Sequence, residues 1–369
     1  MKDDQRYQEN RLDKTEHKVE TLNKELHAVT GKVRNIESHL EENQATETST
    51  TTNYLFDPQF PKSPPSFTGR VAEINWIEQE FLYHKDQEHM LSICGLGGCG
   101  KSSLAVNFAE TVRDQYPGGM LFVSAENQIT LEKSLQKLAH IFQIAYDISA
   151  ILMKLTRVDA PWLMIVDNLD QSKLEDDVVD LLTGSWKDQS KCHMLITTRR
   201  SEQEIKEELM IPELECLNLQ CLTQQDSVQF LERRIKQHRS SAMEELCNEL
   251  GYLPLALEQA GAYMAVTRCK CDAYLKTYQA STIKQLKKPV KAPTTRDKQR
   301  LAVQATWKMN FEYIKKESEE FNLGIIPCDI LNCLAYLSPD SIPEEIIAQA
   351  SEMLSDNFCE TTAPEVLSI

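Results

Sequence analysis

Gly95-Leu96-Gly97-Gly98-Cys99-Gly100-Lys101-Ser102 is the stretch on which the fold turns. It fits Gly-x-x-x-x-Gly-Lys-Ser/Thr at every fixed position. The run before it, Met90-Leu91-Ser92-Ile93-Cys94, is apolar and reads as a strand, and 102–112 has helical spacing. A glycine-rich loop in that setting wraps closely round a phosphate, with successive backbone N–H groups pointing inward. The following helix adds positive potential at its N-terminus. Gly95, Gly97, Gly98, Cys99, Gly100, Lys101, Ser102 and Ser103 are therefore the candidate phosphate cradle. Lys101 would reach the β- and γ-phosphates, and the Ser102 hydroxyl would bind Mg²⁺.

Outward from this loop, short apolar runs alternate with helical patterns. Met120-Leu121-Phe122-Val123, 163–166 and Met194-Leu195-Ile196 read as strands, and 131–145 as a helix. Such alternation predicts an α/β fold, a parallel sheet with helices on both faces. Leu163-Met164-Ile165-Val166-Asp167 is an apolar run ending in a carboxylate, which makes Asp167 the second expected Mg²⁺ ligand. Many P-loop ATPases carry a water-activating acid at the next position. Asn168 stands there and cannot act as a base, and Asp170 is the nearest alternative. Slow hydrolysis suits this arrangement better than rapid turnover. The segment Thr197-Thr198-Arg199-Arg200 closes the next strand, where Arg199 could touch the γ-phosphate and report its presence.

The rest of the chain sets the context. It has 369 residues, 40 Lys+Arg against 56 Asp+Glu, and a net charge of −16. That balance argues against a nucleic-acid binder, which needs a concentrated basic surface. No run approaches the ~20 apolar residues of a membrane span, and the polar N-terminus lacks the apolar core of a signal peptide. The expectation is a cytoplasmic protein whose 11 cysteines are reduced. Cys269 and Cys271 lack the second ligand pair of a zinc site.

Residues 1–42 carry a heptad. Leu12, Val19, Leu26, Val33 and Leu40 are spaced by seven, with Thr15, Leu22, Val29 and Ile36 three after the first four. In a parallel pair Arg11 would face Glu16 and Lys32 would face Glu37. Self-association or a partner helix through residues 12–40 is one reading. An amphipathic helix docked on its own globular domain is the other. Residues 43–66, rich in Thr and then Pro, read as a flexible linker. A nucleotide-binding domain is expected over 67–221 and a helical domain over 222–295. Gly251-Tyr252-Leu253-Pro254-Leu255 marks a corner in the latter, with Pro254 suited to a first helical turn.

Taken in order, these motifs resemble the NB-ARC branch of the signal-transduction NTPases with numerous domains, the STAND class. The resemblance opens at Phe67-Thr68-Gly69-Arg70 and covers the P-loop, Asp167-Asn168-Leu169-Asp170 and Thr197-Thr198-Arg199. It ends on the Gly251 corner. Tyr116-Pro117-Gly118-Gly119 and Leu257-Glu258-Gln259-Ala260 are most similar to the animal members with tetratricopeptide repeats. It implies ATP or ADP as ligand, with dATP as a variant, and Thr68 and Arg70 beside the adenine. It also implies that Pro254 approaches the base or ribose from the helical domain. Residues 296–369 resemble part of a winged-helix domain. The family's later histidine motif and repeats have no counterpart up to Ile369, and the last histidine is His238. The resemblance thus implies a nucleotide-dependent switch, in immunity or apoptosis, that is at most a slow ATPase. The alternative is a short, non-switching regulator that pairs with full-length relatives through the heptad.

Overall fold

Strands form where β-branched and large apolar residues run together. In the computed structural model, which describes residues 55–83, 90–171, 176–183, 192–211, 214–285, 295–320, 326–334 and 346, they build one parallel sheet of six. The elements in chain order are β1 (Leu55–Phe56), α1 (Val71–Glu78), β2 (Met90–Gly95), α2 (Lys101–Thr111), β3 (Gly119–Ser124) and α3 (Gln128–Ile141). Next come α4 (Ile148–Thr156), β4 (Trp162–Asp167), α5 (Asp176–Thr183), β5 (His193–Thr198), α6 (Glu202–Leu209) and β6 (Glu215–Leu219). The remainder is helical: α7 (Gln224–Ile235), α8 (Ser241–Glu249), α9 (Pro254–Thr267), α10 (Cys271–Gln285), α11 (Thr295–Glu320) and α12 (Ile326–Leu334).

The strand order is β1-β3-β4-β5-β2-β6, and every pairing is parallel. Period-2 alternation sends the side chains to two cores. Leu91, Ile93, Leu163, Ile165 and Leu195 join α2 and the helical layer through Leu104 and Phe108. Val123, Met164, Val166, Met194 and Ile196 join α3, α4 and α6 on the other face. Every residue of β4 is buried, as a strand covered on both faces requires. Helix starts follow local chemistry. Asn127 and Ser201 form reciprocal capping boxes, and Thr223 and Ser240 accept from the first-turn N–H groups.

Three features differ from expectation. Residues 55–66 are not linker: β1 pairs with β3, and buried Asp57 accepts Lys137 Nζ at 2.7 Å. Two residues are too few to show a period, so composition alone spoke. β6 was not foreseen because an edge strand reading Glu-Cys-Leu-Asn-Leu buries only Leu219. Finally, α11 does not begin a separate body. It packs on α9 and α10 through Ala302, Ala305 and Met309, and Thr306 Oγ1 donates to Gln259 Oε1 at 2.5 Å. The heptad segment 12–40 and most of the stretch likened to a winged helix lie outside the described residues.

Candidate nucleotide site

The tips of β2, β4 and β5 bring the motifs together, because β5 lies between the other two. A cavity of about 490 Å³ opens there, walled by the P-loop from one side and by α7 and α9 from the other. Junctions at the carboxyl ends of parallel strands are where such folds bind ligands.

The loop has the geometry its glycines allow. Gly98 (φ 78°) and Gly100 (φ 95°) occupy left-handed backbone that a side chain would strain. Lys101 is buried, and its Nζ donates to Gly95 O at 3.1 Å and Leu96 O at 3.0 Å. Gly97, Gly98, Gly100, Ser102 and Ser103 line the cavity. Gly95 lies behind the loop, where an added Cβ would meet Leu219 O at 2.7 Å. Cys99 lines the cavity as well, though not through its thiol. Its side chain is 1% exposed and faces the core, so only its backbone can serve the site. Burial pushes the Cys99 thiol above its ordinary value, as befits an inert core sulfur.

Asp167 ends β4 with its carboxylate held. Thr197 Oγ1 donates to Asp167 Oδ1 at 2.6 Å, and Asn168 N–H donates to the same Thr197 oxygen at 3.0 Å. Ser102 Oγ and the Asp167 carboxylate are hard oxygen donors of the kind Mg²⁺ takes, so the donor set fits that ion. Magnesium there would neutralise phosphate charge. Asn168, in left-handed backbone (φ 59°), lines the cavity beside the loop.

Asp170 is placed differently from expectation. Its Oδ2 accepts Arg199 Nε at 2.5 Å, and its Oδ1 accepts Arg199 N–H at 2.5 Å and Thr198 Oγ1 at 3.3 Å. Both oxygens are engaged and the residue does not line the nucleotide cavity. It therefore orients Arg199 rather than standing ready to take a proton from water. Arg199 does reach the cavity, with Cδ 3.5 Å from where a Gly97 Cβ would sit.

Thr68 and Arg70 also line the cavity, but Arg70 acts as a brace. From left-handed backbone (φ 65°) its guanidinium pairs with Glu73 at 2.7 Å and donates to Cys99 O at 3.0 Å and Gln220 O at 2.8 Å. One side chain thus ties the opening motif, the P-loop and the end of β6. Thr68 Oγ1 donates to Ser66 O at 2.9 Å. From the helical layer, Pro254 starts α9, and its Cγ lies 3.8 Å from a Gly100 Cβ position. Next to it, Leu255 N–H donates to Gly98 O at 3.2 Å. Leu222, Phe230, Leu255 and Glu258, with Pro64, Ser66 and Phe67, add to the wall and were not foreseen as site residues. Leu255 and Glu258 sit close to the Gly251 corner in sequence, whereas Leu222 and Phe230 carried no such signal. A larger cavity of about 830 Å³ lies beyond Arg199 but lacks Lys101 and Ser102, so the phosphate chemistry belongs to the smaller one.

A parallel α/β sheet with this loop, acid and arginine at its strand tips defines a P-loop NTPase. Residues 72–241 match the model of the NB-ARC domain, in keeping with the P-loop NTPase fold. The chain is 25% identical over 273 residues to apoptotic protease-activating factor 1 of Homo sapiens, covering 65% of this chain and 20% of that protein. It is 25% identical over 226 residues to regulatory protein AfsR of Streptomyces griseus (57% and 22% covered). It is 23% identical over 215 residues to a nucleotide-binding leucine-rich repeat-like protein of Hyaloscypha variabilis (52% and 21% covered). The chain thus spans about a fifth of the length of these relatives. Among solved structures it is similar to a Walker-type ATPase of Pyrococcus abyssi, with TM-score 0.42, 15% identity, and 85% of this chain and 91% of that one covered. No helix of the described residues is long and apolar enough to cross a membrane.

Proposed function

We propose that this protein is an NB-ARC-type switch that binds ATP or ADP with Mg²⁺ and couples the bound nucleotide to assembly through the heptad segment 12–40. Hydrolysis is slow, because Asn168 replaces the usual base and Asp170 is committed to Arg199. The observation that carries this reading is the bond from Leu255 N–H to Gly98 O, 3.2 Å, which joins the helical layer to the loop that would hold the phosphates. A change at the phosphates is then transmitted to the helices by direct contact. Signalling in apoptosis is the setting that the name of one relative favours, and innate immunity is the other setting that the resemblance of the motifs implies.

The test pairs nucleotide titration with size-exclusion chromatography on the full chain. Lys101→Ala should weaken ATP and ADP binding by at least ~100-fold, the scale expected for losing a buried charged contact to phosphate. Wild-type elution should shift between the ADP and ATP states. Assembly that ignores nucleotide and the Lys101 substitution would instead make the chain a scaffold.

A further inference from the structure

A cavity of about 570 Å³ abuts the nucleotide cavity, sharing Gly97, Arg199 and Leu255 with it. Its far wall is α11, which contributes Arg300, Gln304 and Trp307. Two arginines line this space and no carboxylate does. Asp170 engages Arg199 only at Nε and the backbone N–H. Among the described residues, no hydrogen bond takes the terminal nitrogens of Arg199, and Arg300 has neither an ion pair nor a hydrogen bond.

The position of Arg300 is set by its neighbour. Gln299 is 7% exposed, its Nε2 donates to Cys221 Sγ at 3.0 Å, and its Cγ lies 3.0 Å from a Gly251 Cβ position. Ala302 and Ala305 bury the next turns of α11. Arg300, an exposed side chain, therefore lines this adjoining cavity from a fixed helix. Asp170 already pairs with Arg199 at its Nε edge, so Arg300 is the added positive charge in this lining, and an oxyanion between the two groups would engage both.

We propose that Arg300 and Arg199 together clamp the terminal phosphate of a bound nucleoside triphosphate. On this proposal α11, beyond the domain that carries the loop, discriminates triphosphate from diphosphate. It deepens the nucleotide-switch reading and rests on it.

Calorimetric titration of the full chain with Mg²⁺ and ATPγS, ADP or inorganic phosphate tests the proposal. Arg300→Ala should weaken ATPγS by about tenfold, as loss of one charge-assisted contact does, and leave ADP within about twofold. Arg300→Lys should recover part of the loss. Equal weakening of both nucleotides, or of neither, would overturn the clamp, the former showing a packing role. Inorganic phosphate binding without nucleotide, abolished by Arg300→Ala, would also overturn it by assigning the arginines to free phosphate. If wild type binds neither nucleotide, the switch reading falls and takes the clamp with it. ADP binding with Lys101 dependence, but no Arg300 effect, sinks the clamp alone.

Discussion

At the scale of single residues, the site separates into backbone and side-chain work. Gly98 illustrates the first. An added Cβ would lie 2.9 Å from Leu255 Cβ, at a φ of +78° that disfavours side chains. Gly98→Ala should lower stability by ~1–3 kcal/mol in urea unfolding and weaken nucleotide binding at the same time. Asp170 illustrates the second. If it positions Arg199, Asp170→Asn should reduce the preference for ATP over ADP severalfold in equilibrium binding. A drop in hydrolysis with unchanged ATP affinity would restore the base role. The P-loop was legible because its backbone demands glycine and lysine at fixed offsets, whatever surrounds them. The Asp170–Arg199 pair and the Arg70 brace were not. Both depend on partners far along the chain, Gln220 O being 150 residues from Arg70.

Among elements, close approaches explain which junctions tolerate change. Gly118 N–H donates to Pro161 O at 2.7 Å, and a Cβ on Gly118 would lie 2.4 Å from Ala160 O. Backbone cannot step aside as a side chain can. Gly118→Ala should therefore destabilise by ~2–3 kcal/mol in urea unfolding, near the upper range for single substitutions. Beside it, the Tyr116 hydroxyl and His193 Nδ1 meet at 2.7 Å in the core, under the stacked ring of Phe81. Gly261 in α9 makes the opposite contrast with simple propensity. Alanine would favour the helix by ~1 kcal/mol, yet Arg234 Cγ would lie 2.7 Å from the new Cβ. Gly261→Ala should lower the unfolding midpoint in wild type and raise it in an Arg234→Ala background. Strands β2 to β5 were readable from apolar runs, whereas β1 was too short and β6 too polar to announce itself.

For the whole molecule, the cysteines provide a pH signature. The described cysteines are free thiols. Burial pushes Cys192, Cys221 and Cys271 from 9.0 up to about 11 and Cys247 up to about 12. The folded chain therefore keeps protons that the unfolded chain releases from about pH 9. Their stabilisation is whole below that pH and declines as pH rises through 11 to 12. Urea midpoints should fall clearly between pH 9 and pH 10.5. A flat profile to pH 10.5 would contradict the packing of these sulfurs. The net charge of −16 does not oppose a polyanionic ligand, because Lys101, Arg199 and the loop amides act within a few ångströms. The joint between Leu255 and Gly98 has one more consequence. Because the loop peptide is held by α9, the free energy of grasping a phosphate and that of seating the helices are linked. Linkage is reciprocal, so whatever partner draws α9 away must alter nucleotide affinity by the same factor by which nucleotide alters that partner's affinity.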